Sequence, residues 1–300
     1  MQIWAVGGGK GGTGKSLIAH GLALALAERG SAVILVDADF GGPNQHTYCG
    51  IRKPPATLAQ FFDDRRPLQD LLTETACPGL RLIPGTINSA NTDGITWTQK
   101  QKFFRHLRAL SADHVLLDLG GGSQYDTLDT FLVADFQVGV IVPDALAIEN
   151  FYLFLKNLKH RQLANVLSRT GLKERGRDIW HHRSEHGIAN ARDFIQHLCG
   201  LSEPFARAMA RETGRLYLHV VLNQVREYGQ VELGLAVKSS VDKYFHIDGQ
   251  FAGYIRYDKD LWQQFGQDHP SGKGEPSYTL HHAMEGILDG ILNHSRPVGG

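Results

Sequence analysis

Two lysines and a serine spaced among glycines carry the most legible chemistry of this chain: Gly9-Lys10-Gly11-Gly12-Thr13-Gly14-Lys15-Ser16. Glycines let consecutive backbone N–H groups turn toward an anion. A helix that begins where such a loop ends adds the positive end of its dipole. At this spacing Lys15 would reach the β- and γ-phosphates of a nucleotide, and the Ser16 hydroxyl would sit on Mg²⁺. Leu17 follows at the start of the helical pattern and closes the expected nucleotide-binding run. Lys10 is surplus to that cradle. A glycine-rich turn carrying lysines by chance is the competing reading, and it leaves the spacing unexplained.

Carboxylates end two of the apolar runs. Asp37-Ala38-Asp39 is followed by Phe40-Gly41-Gly42-Pro43-Asn44, and Asp118 by Leu119-Gly120-Gly121-Gly122-Ser123. At the C-terminal end of a parallel strand a carboxylate points into the ligand crevice. There it can order a metal-bound water or an attacking water. For Asp37 and Asp39 the alternative is a turn or helix-cap role, since Asp, Gly and Asn all form turns. Asp118 has the Walker B arrangement, which holds Mg²⁺ through water. The three glycines after it can re-pack around a γ-phosphate.

Those groups can meet only if several strands end side by side. Short all-apolar runs of the kind buried in parallel sheets occur at 3–6, 32–36, 114–117 and 136–142, with a further run at 80–83. Later runs lie at 216–222 and 251–255, and amphipathic helical patterns cover 99–110 and 146–158. The alternation predicts an α/β fold of the P-loop NTPase type, a mostly parallel sheet with helices on both faces. One domain over 1–300 is expected, interrupted by a polar helical insertion at about 159–214. From Lys156 to Arg192 that region carries nine Lys and Arg against three Asp and Glu.

The whole chain is electrically balanced, with 31 basic and 31 acidic residues. No global field therefore draws it to nucleic acid or anionic lipid, and such contacts need a local patch. Cys49, Cys77 and Cys199 form no C-x-x-C pair, which argues against a zinc ribbon or a redox dithiol. There is no long apolar run, and the first strand begins almost at Met1. The expected compartment is the cytoplasm. The tail 295–300 is the expected loose end.

The lysine loop, the segment DADFGGPN and the segment LLDLGGGS together resemble the MinD/ParA family of deviant Walker A ATPases. DADFGGPNQHTYCGI, VLLDLGGGSQYDTLDTF and VPDALAIENFYLFLK are most similar to its FlhG/FleN branch, regulators of flagellar number. The resemblance implies Mg²⁺-dependent ATP hydrolysis coupled to a homodimer that sandwiches ATP. In that scheme Lys10 reaches across to the partner's nucleotide, while Lys15 and Ser16 serve their own. Asp39 matches the residue that orients the attacking water, Asp118 the Walker B aspartate and Asn223 the adenine-reading asparagine. Lys10 and Asp39 are thus the expected catalytic pair, with Ser16 and Asp118 on the metal. Arg256 stands where the family usually has proline.

Several features compete for a second role. The basic insertion could meet a protein partner, nucleic acid or lipid, or could be a solvated face. His181, His182 and His186 have a spacing that could hold a metal, although such groups more often lie on surfaces. Met284, Ile287, Leu288, Ile291 and Leu292 form a helical stripe. The same helix carries Glu285 and Asp289 and only Arg296 follows, so core packing is favoured over membrane binding. The leading expectation is an ATP-driven switch acting through unidentified protein partners. The alternatives are a cofactor-maturation ATPase of the same fold and a ParA-like DNA partitioner.

Overall fold

The computed structural model describes residues 1–85, 96–259 and 278–293. The expected loose tail and Arg296 lie outside them. Eight strands make one sheet: β1 (Gln2–Gly7), β2 (Val33–Ala38), β3 (Thr73–Glu74), β4 (Leu80–Ile83), β5 (His114–Leu119), β6 (Phe136–Ile141), β7 (Tyr217–Val225) and β8 (Asp248–Arg256). Their order is β3-β4-β2-β5-β1-β6-β7-β8, and every pair is parallel except β3 with β4. The six apolar runs expected beyond β1 all fall on strands. β3, two residues at the sheet edge, is too short to leave a periodic signal.

Continuous apolar runs are needed because both faces are covered. Successive side chains alternate between them. Ile3, Ile34 and Val115 face one layer, with Phe131, Phe151 and Phe154. Trp4, Leu35 and Leu116 face the other, built by α1 (Lys15–Glu28) and a C-terminal helix (Tyr278–Asn293). In the latter, Met284, Ile287, Leu288 and Ile291 are buried, and Glu285 pairs with Arg29. The stripe is core packing. No helix among the described residues is long and apolar enough to cross a membrane.

The remaining helices are α2 (Gln45–Tyr48), α3 (Leu58–Phe62), α4 (Trp97–Leu107), α5 (Tyr125–Val133), α6 (Ala145–Arg169), α7 (Lys173–His181), α8 (Ala191–Leu201), α9 (Glu203–Arg215) and α10 (Val231–Ser240). Thr96 and Gln99 form a capping box that starts α4. Asn190 caps α8, and Ser202 caps α9, which has Pro204 in its first turn. α6 runs eleven residues past the expected end at Leu158, so the core helix itself continues into the polar region. There Val166, Ile179, Phe194, Leu198, Phe205 and Met209 close a small cluster of their own. That apolar centre explains how a segment without strands stays folded.

Candidate nucleotide site

Parallel strands β2, β5, β1, β6 and β7 end together, and the loops that follow them form the site. β1 leads into the glycine loop, which turns through Gly12 at φ +77° and Gly14 at φ +86° before α1 begins at Lys15. Both angles are in the left-handed region that glycine enters without a Cβ penalty. Gly14 is doubly constrained: a Cβ there would lie 2.1 Å from Asn223 Nδ2. Lys15 is 6 % exposed and donates to the Lys10 carbonyl at 3.0 Å. Burial pulls its pKa down, and the charges of Asp118 and Asp39 work against that. Thr13 is buried and its hydroxyl lies 3.5 Å from the same carbonyl. Leu17 is buried in the layer of core beneath α1.

Lys10 leaves the loop in a different direction. Its Nζ lies 3.4 Å from Asp144 Oδ1, with both side chains substantially exposed. Asp144 also accepts from the Ala147 N–H at 2.9 Å and so caps α6. That hydrogen bond, with Lys10 beside it, holds its carboxyl below the ordinary carboxylate range. Asp144 was not a sequence candidate; its place three residues before Ala147 in a helix start was the available signal.

The three aspartates divide their work. Asp37 and Asp118 are partners in register on β2 and β5, and both are fully buried. Asp37 accepts from Asn44 N at 2.8 Å, Gln45 N at 2.9 Å and Asp39 N at 3.3 Å. It therefore has the turn-binding role, folding the segment between β2 and α2. Burial and then the neighbouring Asp118 charge push its pKa up to about 7, against those hydrogen bonds. Asp39 is half-buried and accepts from Gly41 N at 2.9 Å and Gly42 N at 3.1 Å. A Cβ on Gly120 would come within 2.8 Å of its Oδ1, so the loop after β2 and the glycines after β5 touch through this residue.

Asp118 faces the glycine loop. Its Oδ2 accepts from Gln45 Nε2 at 2.8 Å, and the Ser16 hydroxyl also donates to this carboxylate. Burial raises its pKa to about 6, with the bonds from Gln45 and Ser16 and the Lys15 charge opposing. Its Oδ1 is buried without a hydrogen-bond partner. A buried carboxylate oxygen left over beside a serine hydroxyl fits the donor set of Mg²⁺, which is bound through one or two carboxylates and keeps several waters.

Gln45 is the functional residue that sequence reasoning passed over. It is fully buried, and one amide nitrogen serves both Asp118 and the Ser16 carbonyl, at 2.8 and 2.9 Å. Nothing in the run Pro43-Asn44-Gln45 marks it. Its role comes from α2 folding back across the strand ends.

Asn223 sits where the register of β7 and β8 slips between Leu222 and Val225. Such an irregularity re-aims side chains. Asn223 Nδ2 donates to the Thr13 carbonyl at 2.8 Å, and Gln224, at φ +60°, donates to the Gly12 carbonyl at 3.2 Å. Arg256, the last residue of β8, is exposed. The structure thus brings Lys10, Lys15, Ser16, Asp39, Asp118 and Asn223 to one crevice. His181, His182 and His186 lie elsewhere, in and after α7.

Residues 4–270 match the CobQ/CobB/MinD/ParA nucleotide binding domain. Among characterised relatives, the antiactivator FleN of Pseudomonas aeruginosa is 31% identical over 176 residues, 55% of this chain and 62% of that protein. The chain therefore spans about three fifths of that relative's length. In three dimensions the chain resembles the Aquifex aeolicus MinC:MinD cell division complex, with TM-score 0.61 and 16% identity over 100% of this chain and 99% of that one. It is also similar to cobyrinic acid a,c-diamide synthase of Mycobacterium smegmatis with bound ADP and magnesium, with TM-score 0.63 and 17% identity over 98% and 94%.

Proposed function

The chain belongs to the CobQ/CobB/MinD/ParA nucleotide-binding family, and we propose that it is an ATP-hydrolysing dimerisation switch of the MinD/FlhG type. It would act in the cytoplasm, regulating the placement or number of a cellular structure through protein partners. FleN, one of its relatives, is an antiactivator, and MinD of Aquifex aeolicus is found in complex with MinC, which supports a role exerted through a protein partner.

The contrast between the two lysines carries the reading. Lys15 is buried and committed to its own loop, as a cis phosphate ligand must be. Among the described residues the Lys10 ammonium is held only by a solvent-screened pair with Asp144, a contact of little energetic weight that a stronger anion can replace. Such a lysine can be offered to a second copy of the chain. Lys15 and the backbone N–H groups of Gly11 to Ser16 would bind the phosphates of ATP. Ser16 directly, and Asp118 through water, would hold Mg²⁺, which neutralises phosphate charge. Asp39, between the β2 turn and Gly120, would orient the attacking water. The partner's lysine would complete charge neutralisation only in the dimer, so that assembly and hydrolysis are coupled.

The test is Lys10→Ala. Nucleotide affinity should stay near that of the parent, while ATP-dependent dimerisation measured by light scattering weakens and turnover falls about 10³-fold or more, the scale of a lost trans cation. A variant that dimerises and hydrolyses ATP at parental rates removes the trans role.

A further inference from the structure

Away from the nucleotide, four helices surround a cavity of about 600 Å³. α4 contributes Arg105 and, just past its end, Arg108; α5 contributes Asp129; α6 contributes Arg161 and Gln162; α9 contributes Arg215. The volume is that of a ligand site rather than a packing defect.

Charge is distributed unevenly within it. At the floor Asp129 is gripped by Lys100 at 2.6 Å and by both ends of Arg161 at 2.7 Å, and Lys100 also meets Asp126 at 2.8 Å. Those two cations and two carboxylates balance. On the wall Arg169 is matched by Glu212 at 2.7 Å. Arg105, Arg108 and Arg215 remain, exposed and without a carboxylate among the described residues. Three guanidinium groups not paired with a carboxylate, one of which (Arg108) also donates to the Val133 carbonyl at 3.2 Å, form a local anion-attracting patch on a chain of formal net charge +0.

A second observation concerns the rim, which has the indole of Trp97, 68% exposed. Polyphosphate has no apolar group to pack on it, whereas the side chains of a polypeptide do. Exposed tryptophan beside arginine is the composition of a binding hot spot.

We propose that this cavity docks an acidic peptide segment of a partner protein. Its carboxylates would pair with Arg105, Arg108 and Arg215, and an apolar side chain would pack on Trp97. The site is separate from the nucleotide crevice and does not depend on the switch reading.

The probe is a fluorescein-labelled peptide that repeats Glu-Leu-Asp-Phe three times, followed by anisotropy with the full chain. A counterpart with Lys at every acidic position serves as control, and inorganic tripolyphosphate as competitor. The acidic peptide should bind and weaken with added salt, while the lysine peptide should not bind. Reversing charge in the double variant Arg105→Glu, Arg215→Glu should weaken binding about tenfold or more, since charge complementarity turns to repulsion. Neither residue makes an ion pair among the described residues, so melting temperature and ATP affinity should match the parent. Trp97→Ala keeps the charges and removes the indole, and should weaken peptide binding on its own. The proposal is overturned if the acidic peptide fails to bind, or if it binds the doubly reversed variant equally well. It is also overturned if tripolyphosphate binds the cavity and the peptide does not.

Discussion

A single amide nitrogen on Gln45 spans two parts of the nucleotide crevice, the Asp118 carboxylate and the Ser16 carbonyl. Residues one step removed from a metal fix the orientation of those that hold it, and their loss typically costs about 10–100-fold in metal affinity. Gln45→Leu keeps the volume and removes both bonds. The Mg²⁺ concentration needed to support binding of a fluorescent ATP analogue should then rise by about tenfold. Nucleotide affinity without Mg²⁺ should change little, and an unchanged Mg²⁺ requirement would separate Gln45 from the metal. This residue shows where a linear reading stops. Asp118 was legible because it ends an apolar strand, whereas Gln45 acquires its partners from the path of α2 and carries no local signal. Asp37 and Asp39 look equivalent by residue type and position at a strand end, and the family resemblance alone singles out Asp39. The geometry gives the physical distinction: Asp37 folds the turn and Asp39 touches Gly120.

At the scale of elements, the sheet and its covering helices follow from apolar periodicity, because burial on both faces demands it. β3 and the extension of α6 do not. The first is too brief, and the second depends on a cluster assembled from residues tens of positions apart, Val166 to Met209. α1 makes a prediction of its own. Buried almost all round, it includes His20 at 4% exposure, near the Cys49 thiol, and burial pushes the His20 pKa down to about 4. The folded form binds its proton less readily than the unfolded chain, whose histidine titrates near 6.5. Stability from this group is therefore present above that value and is lost as pH falls toward 4. Between pH 7 and pH 5 the loss is about 2 kcal/mol. Denaturant unfolding of His20→Leu at the two pH values should show the stability gap shifting toward the variant by that amount on acidification. A pH-independent gap would mean that the histidine is not held neutral.

For the whole molecule, the proposed switch turns on association. Asp39→Ala leaves Lys10, Lys15 and Ser16 in place, so ATP binding and assembly should persist while turnover falls by two orders of magnitude or so. Sedimentation velocity with ATP should show a long-lived dimer in this variant and a transient one in the parent; rapid hydrolysis by the variant would take Asp39 out of catalysis. One further link runs through Asp129. It ties Arg161 of α6 and Lys100 of α4 to α5, the helix that follows the glycines at 120–122. α6 in turn starts on Asp144, the residue that holds Lys10. The cavity between the helices and the loops at their N-termini thus share two helices, α5 and α6. If a peptide in the cavity alters nucleotide affinity by some factor, nucleotide must alter peptide affinity by the same factor. A partner seated there would both report the nucleotide state and bias it, with neither direction of control available without the other.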